Sequence, residues 1–98
     1  MTIVLFRNRL RPEASEAYGQ LAPEIALLAQ QQPGFIAMKT FTAADGERVT
    51  IAEFESDEAV AAWRAHPEHR EAQRRGKTEF YSEYHLQVCE VLREKHVP

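Results

Sequence analysis

The start of the chain alternates between the two sides of a β-strand, with apolar residues recurring at a period of two. One side carries Ile3 and Leu5. The other side carries Val4, Phe6, Asn8 and Leu10. Arginines interrupt this apolar stretch and no small-residue cleavage site follows it, which argues against a secretion signal. We therefore predict a first strand from Thr2 to Leu10.

The next segment changes to the period of a helix. Pro12 suits the first turn, because its fixed φ angle favours helix and its missing N–H needs no partner there. Apolar or aromatic residues then recur every three or four positions, at Ala14, Tyr18, Leu21, Ile25 and Leu28. Pro33 and Gly34 disfavour helix beyond them, so we predict an amphipathic helix that ends near Gln31 or Gln32.

Two strands follow, from Phe35 to Thr42 and from Arg48 to Glu55. Asp45-Gly46 lies between them and is a strong signal for a tight hairpin turn. The sequence therefore predicts that these strands are antiparallel neighbours.

A second helical region follows the hairpin. Ser56 or Asp57 can cap its start, and Val60 and Trp63 should face inward. Pro67 restarts the helix after a bend. We predict that this second piece ends at Arg75, with Gly76 in the left-handed conformation that often follows a helix.

The last predicted element is a strand from Glu79 to Arg93. One of its faces carries Phe80, Tyr84, Leu86, Val88 and Leu92. The other carries Tyr81, His85, Cys89 and Val91. The order β-α-β-β-α-β predicts an α+β, ferredoxin-like fold with the helices on one face of an antiparallel sheet.

This last strand is long for a single protomer. Fifteen residues would extend roughly 50 Å at about 3.3 Å each, whereas most strands have about five or six residues. A bulge could shorten it, but the surplus could also pair with another chain. Ile3, Leu5 and Val91 would moreover leave an apolar sheet face uncovered, which monomers rarely expose. Both features predict a homodimer whose sheets face each other.

Composition limits the classes of function. The 98 residues predict a single domain spanning 1–98, and 44% hydrophobic with 28% charged residues is ordinary for a cytoplasmic globular protein. No apolar run is long enough to span a membrane. The formal charge of −3 argues against a nucleic-acid binder. Cys89 is the only cysteine, so we expect no internal disulfide and no metal site.

The segment from Ser56 to Tyr84 contains the candidate chemistry. It places the single tryptophan, Trp63, near His66 and His69 and then runs into an aromatic strand. An apolar lining with a few polar groups is what a pocket for a planar organic molecule needs. We predict a small-molecule site, although Trp63 could equally be a core anchor and His69 a structural histidine.

Two segments resemble the antibiotic biosynthesis monooxygenase (ABM) family, whose members are dimeric α+β barrels of two ferredoxin-like protomers. They are VTIAEFESDEAVAAWRAHPEHREAQ and FYSEYHLQVCEVL. The resemblance extends over nearly the whole chain. It implies either oxygenases that oxidise quinols or aromatic polyketide intermediates without metal or flavin, or heme-degrading enzymes.

The resemblance also suggests which residues matter. In the heme degraders an asparagine on the first strand and a tryptophan after the third act with a heme-ligating histidine. Asn8 and Trp63 match the first two positions. The ligand position falls near Gln73, with His69 one turn earlier, so we expect no heme and no other cofactor.

The function that the resemblance implies is cofactor-independent monooxygenation of a small electron-rich aromatic, such as a quinol. His69 would deprotonate the substrate, Asn8 would orient its oxygen and Trp63 would form one wall of the pocket. Further substrate contacts are predicted at Phe6, Tyr18, Tyr84 and His85. Tyr84 and His85 lie on opposite faces of the last strand, and its register decides which face lines the pocket. Two alternatives stay open: a non-catalytic small-ligand-binding or stress-related dimer, and an isomerase of a small carbonyl metabolite.

Overall fold

The computed structural model describes residues 1–98 and contains one four-stranded antiparallel sheet with helices on one side. Its strands are β1 (Thr2–Leu10), β2 (Phe35–Thr42), β3 (Arg48–Phe54) and β4 (Tyr81–Glu90). Its helices are α1 (Ser15–Gln30), α2 (Asp57–Ala65) and α3 (Pro67–Arg75). The strand order across the sheet is β2-β3-β1-β4. The predicted ferredoxin-like arrangement is confirmed.

Several local predictions are confirmed with their physical cause. A 3-10 turn at Pro12–Ala14 precedes α1. Gly46 occupies the hairpin between β2 and β3 with φ of 92°, a conformation that glycine adopts without steric cost. The Ser56 hydroxyl accepts a hydrogen bond from the backbone N–H of Ala59 at 3.2 Å and so caps α2.

The core lies between the helices and the side of the sheet that we call the inward face. On β1 this face carries the even-numbered side chains, and Thr2 and Asn8 are buried there. The buried hydrophobic cluster joins α1, β3 and α2 through Ala29, Ala52, Phe54, Val60 and Trp63. None of the helices has the length and apolar character needed to cross a membrane.

The prediction for the last strand needs correction at both ends. Residues Gly76–Phe80 form a π-helical turn that continues α3, and β4 is confined to Tyr81–Glu90. The bulge that the sequence analysis considered lies in β4 opposite Arg9 and Leu10. Arg9 pairs with Glu83, whereas Leu10 pairs with Tyr81. The bulge turns Tyr81 to the inward face, beside Tyr84, so the predicted opposite placement of these two tyrosines was wrong.

The predicted left-handed conformation of Gly76 was also wrong. Gly76 is right-handed helical, with φ of −57° and ψ of −47°. What requires a glycine is the ring of Tyr81, because a Cβ built on Gly76 would lie 2.7 Å from its Cε2 atom. The glycine thus makes room for an aromatic side chain at the start of β4.

Replacing Gly76 with alanine should therefore destabilise the protein, by about 1–3 kcal/mol as for an overpacked site. Gly19 is the matched control, because an added Cβ meets nothing within 4 Å there. Gly19→Ala should stabilise α1 by about 0.5–1 kcal/mol. Urea denaturation of both variants measures the difference. A Gly76→Ala variant that gains as much stability as Gly19→Ala would show that Tyr81 moves aside at no cost.

Candidate functional site

Asn8 is the most unusual buried residue of the inward face. It is only 3% exposed, and its Oδ1 atom is fully buried without a hydrogen-bond partner in the protein. Burying a polar group without a partner is costly, so natural proteins rarely keep one. An unpaired amide near the end of β1 is therefore a candidate ligand contact.

Aromatic rings surround this end of the inward face. Phe6 packs edge-on against Tyr81 with ring centroids 5.2 Å apart, and Tyr84 lies 5.7 Å from Phe6. Tyr18 reaches down from α1 to within 6.1 Å of the Tyr81 ring. Such rings offer flat apolar walls with polar tips, which suits a planar ligand.

Arg48 completes the group. It begins β3 directly across from Asn8, and its guanidinium lies 4.6 Å from the centroid of the Tyr18 ring. Its Nη1 atom is buried and makes no hydrogen bond. Arg48 takes part in none of the protein's ion pairs. We call the set Asn8, Arg48, Tyr18, Phe6, Tyr81 and Tyr84 the Asn8 cluster.

The Tyr81 phenol stays protonated in this setting. Burial raises its pKa most, and the neighbouring Tyr18 raises it further, while the charge of Arg48 acts in the opposite direction. A neutral phenol remains a hydrogen-bond donor at every physiological pH. It can therefore donate to a substrate oxygen without competing with it for a proton.

The Asn8 cluster opens toward β4, whose inward side is left uncovered by the helices. Tyr84, Leu86 and Val88 share this side and are 45%, 50% and 48% exposed. They form an apolar strip that continues from the rings of the cluster along the edge of the sheet. A flat molecule could lie on this strip with its oxygens against Asn8 and Arg48.

Trp63 and His69 form a second group. Their rings stack in parallel, with centroids 4.0 Å apart and an interplanar angle of 9°. The Nδ1 atom of His69 lies 3.1 Å from the Trp63 carbonyl oxygen and 3.1 Å from the Gln73 amide nitrogen. No hydrogen bond or ring contact joins this Trp63–His69 stack to the Asn8 cluster.

The surroundings of His69 favour the neutral form of its imidazole. Burial lowers its pKa from the ordinary value, the Trp63 carbonyl opposes that shift, and nearby His66 adds to it. The Trp63 carbonyl needs an N–H at Nδ1, whereas the Gln73 amide N–H needs a lone pair there, so one tautomer makes only one of these two hydrogen bonds. In the tautomer whose Nδ1–H donates to the Trp63 carbonyl, Nε2 carries a free lone pair. Nε2 has no hydrogen-bond partner in the protein and is not fully buried. A neutral imidazole with an accessible Nε2 can act as a base.

His85 lies apart from the other predicted site residues. It pairs with Arg7 on β1, and both side chains point to the outward face, away from the helices. At this end of β1 and β4 a shallow depression of about 240 Å³ is lined by Arg7, Glu47, Glu83 and His85, together with Asn8 and Tyr84 of the inward face. Charged side chains dominate it, and Arg7 is paired with Glu47 at 3.0 Å. The structure therefore brings Asn8, Phe6, Tyr18 and Tyr84 together, Trp63 and His69 together, and leaves His85 on the other face.

Two members of the Asn8 cluster were missed by the sequence reasoning. Tyr81 was placed on the face opposite Tyr84 because the bulge in β4 has no obvious sequence signal. Arg48 carries no sequence signal of its own beyond starting the third strand, and only the register between β1 and β3 puts it opposite Asn8. No three His, Cys, Asp or Glu side chains lie close enough to hold a metal ion.

Several solved structures of other proteins have a similar backbone fold. A putative antibiotic biosynthesis monooxygenase from Deinococcus radiodurans superposes with a TM-score of 0.86 at 16% identity, covering 100% of this chain and 99% of that one. Rv0793 from Mycobacterium tuberculosis gives 0.84 at 21% identity, covering 97% and 98%. A mutant of SnoaB, a cofactor-independent oxygenase from Streptomyces nogalater, gives 0.81 at 15%, covering 95% and 94%. These similarities show a common fold.

Sequence comparison gives the family. The uncharacterized protein YqjZ of Bacillus subtilis (strain 168) is 33% identical over 92 residues, which is 94% of this chain and 80% of that protein. The family model described as antibiotic biosynthesis monooxygenase matches residues 1–75, which include β1 and the three helices. The chain therefore belongs to the antibiotic biosynthesis monooxygenase (ABM) family.

Proposed function

We propose that this protein is a cofactor-independent monooxygenase that oxidises a small electron-rich aromatic, such as a quinol. The observation that carries the proposal is the buried, unpaired Asn8 amide among aromatic rings at the open end of the inward face. Family membership supports the reaction class, and SnoaB, described as a cofactor-independent oxygenase, shares the fold. The unpaired Asn8 Oδ1 and Arg48 Nη1 atoms contribute nothing to the stability of the fold, which favours a ligand role for both residues.

The reaction balances with oxygen as the only oxidant. A quinol and O₂ give a hydroxyquinone and water: one oxygen atom enters a ring C–H position, and the other leaves as water with two hydrogens from the substrate. The substrate supplies all four electrons. Deprotonation makes the quinol a stronger reductant, so the protein's task is to remove a proton and hold the resulting anion.

The side chains divide these tasks. His69 accepts the proton at Nε2, while Trp63 supports the imidazole by stacking and through its carbonyl oxygen. Asn8 orients a substrate oxygen. Phe6, Tyr18 and Tyr84 hold the ring, and the substrate itself bridges the two groups of residues. His85 has no part in this arrangement, since it lies on the outward face.

Oxygen uptake by the metal-free protein tests the proposal. A panel of quinols and hydroxylated polyaromatics is supplied, and product formation is followed with ¹⁸O₂. We expect one labelled oxygen atom per product and no requirement for added flavin, heme or metal. Ligand binding without uptake from any member of the panel would reject the oxygenase function.

A non-catalytic small-ligand-binding protein is the second candidate. The absence of any contact between the Trp63–His69 stack and the Asn8 cluster favours it, because a base must reach the proton that it removes. In that case His69 is a structural residue that covers Trp63. Tight binding of a panel member that neither wild type nor His69→Ala oxidises would support this candidate.

The proposal includes a homodimer built on the outward face of the sheet. The centre of that face is apolar and carries Ile3, Leu5, Val49, Ile51 and Cys89. All five remain partly exposed in the single chain. A second copy packed sheet to sheet would remove this surface from water, which is the main driving force for association.

Leu5→Glu should therefore convert the dimer into a monomer, because it places a charge at the centre of the outward face. Leu27→Glu is the matched control, since Leu27 is 60% exposed on α1 and lies on the helical side of the molecule. Sedimentation velocity measures both variants. A wild-type monomer, or a Leu5→Glu variant that remains dimeric, would contradict this interface.

A further inference from the structure

Arg48 is a cation without a counter-charge. Its Nη1 atom is buried and unpaired, and the guanidinium rests on the Tyr18 ring without pairing with any carboxylate. Both arginines of the neighbouring strand β1 are compensated: Arg7 by Glu47, and Arg9 by Asp45 and Glu83. A partly buried charge without a partner is unfavourable unless something else satisfies it.

Asn8 supplies the complementary group beside it. The two residues are direct cross-strand partners, and their side chains share the inward face. Arg48 offers an N–H donor with positive charge, and the buried Oδ1 atom of Asn8 offers an acceptor. Together they match a ligand that presents an anionic oxygen next to a hydroxyl group.

We propose that Arg48 and Asn8 form a recognition pair for an aromatic substrate that is held as a phenolate, once His69 has removed its proton, with a hydroxyl on the adjacent ring carbon. The phenolate oxygen accepts from Arg48 Nη1, and the neighbouring hydroxyl donates to Asn8 Oδ1. This inference rests on the proposed function, because it takes the Asn8 cluster to be the substrate site. It deepens that function by selecting ortho-dihydroxylated rings over rings with a single or methylated oxygen.

The surroundings of Arg48 favour this pairing. The titratable groups that face it are the phenols of Tyr18 from α1 and Tyr81 from β4, and Thr42 is its neighbour on β2. No carboxylate is in position to compete for the guanidinium. A bound phenolate would thus meet a cation in a partly dry, aromatic setting, where charge-assisted hydrogen bonds are strong.

The test uses chromophoric probes under argon, so that binding is measured without turnover. 4-Nitrocatechol carries an acidic phenol next to a second hydroxyl. 2-Methoxy-4-nitrophenol keeps the acidic phenol and methylates its neighbour, and 4-nitroanisole cannot ionise. Nitrophenolate absorption reports the bound anion directly, and titrations between pH 5 and pH 9 give the affinity of each form.

For wild type, affinity for 4-nitrocatechol should rise with pH until its phenol is fully ionised. Arg48→Met should lower the affinity for the anion about ten- to hundredfold and remove this rise, as expected for a lost hydrogen bond to a charged group. Arg48→Lys keeps the charge and should retain most of the rise. Asn8→Leu should bind 4-nitrocatechol and 2-methoxy-4-nitrophenol equally while still preferring anions.

Two results would overturn the inference. One is an Arg48→Met variant that is folded by circular dichroism and binds the anion as tightly as wild type. The other is a wild-type protein that binds 4-nitroanisole as tightly as 4-nitrocatechol at pH 8. If anion binding depends on Arg48 but the protein consumes no oxygen, the recognition pair stands and the oxygenase function is rejected. If the protein oxidises its substrate but binding does not depend on Arg48, the oxygenase function stands and the recognition pair is rejected.

Discussion

Replacing Asn8 with leucine is expected to give a protein that is more stable than wild type and has lost its turnover. The Asn8 amide is buried with its Oδ1 atom unpaired, and such a group costs about 1–3 kcal/mol of stability. Leucine has a similar size and carries no polar atom. The unfolding free energy should therefore rise by roughly that amount, provided the side chain fits the aromatic surroundings.

Thr2 provides a matched control on the same strand and the same face. It is 0% exposed, as buried as Asn8, but its hydroxyl donates to the Glu90 carboxylate at 2.5 Å. Thr2→Val removes a satisfied hydrogen bond and leaves the carboxylate without it, so it should destabilise the protein by about 1–3 kcal/mol. Opposite signs for the two substitutions, measured by urea denaturation, would show that only Asn8 is held for a reason other than folding.

The loss of turnover follows from the proposed role of Asn8 in orienting a substrate oxygen. A misplaced ring reacts slowly even when it still binds, so kcat should fall more than affinity. Asn8→Leu with wild-type turnover would remove Asn8 from the site. A less stable Asn8→Leu variant would show instead that an ordered water satisfies the amide in solution.

The elements of this fold are predictable wherever a local rule decides them. The strand period of Thr2–Leu10, the Asp45-Gly46 turn and the Ser56 cap each act within a few neighbouring residues. Because these signals are local and agree with one another, they specify the order of strands and helices without any knowledge of long-range contacts.

The errors come from places where packing in the folded protein, and not a local sequence pattern, decides the conformation. Gly76 is required by the Tyr81 ring rather than by a helix end, and alternation alone does not reveal the bulge that turns Tyr81 inward. A shift of one residue in register moves a side chain to the other face of a sheet. That single shift changes Tyr81 from an outward residue to a wall of the candidate site.

The candidate site was only partly predictable for the same reason. Asn8 stood out because a polar residue on an apolar strand face needs a partner. Arg48 did not, since its position opposite Asn8 depends on the pairing of β1 with β3 across some forty residues of chain. The stacking of His69 on Trp63 likewise depends on how α3 turns back after Pro67.

Replacing His69 with alanine is expected to lower kcat by about 10²–10⁴-fold, the usual contribution of a positioned general base. Substrate affinity should change much less, because the Asn8 cluster supplies the ring contacts. His96→Ala is the control, as His96 lies in the exposed segment after β4. Steady-state oxygen consumption gives both parameters. A His69→Ala variant with unchanged kcat would remove His69 from the mechanism.

The pH profile gives an independent readout of the same residue. Burial lowers the pKa of His69 below its ordinary value of 6.5, so its neutral form persists in mildly acidic solution. As pH falls, kcat should hold through the range where a free imidazole becomes protonated and then drop at the lower pKa of the folded protein. His69→Ala should lose this acidic limb of the profile.

Stability must follow the same pKa, and the sign is fixed by linkage. Below about pH 6.5 the unfolded chain takes up a proton on His69 before the folded protein does. The folded state therefore loses stability as pH falls from about 6.5 through the lowered pKa, and His69→Ala should remove that part of the loss. The stability effect needs no substrate, so it tests whether the pKa of His69 is lowered independently of whether His69 acts as a base. A lowered pKa without an effect on kcat means a buried structural histidine. A lowered pKa together with an effect on kcat means a base whose neutral form is maintained by its stacking on Trp63.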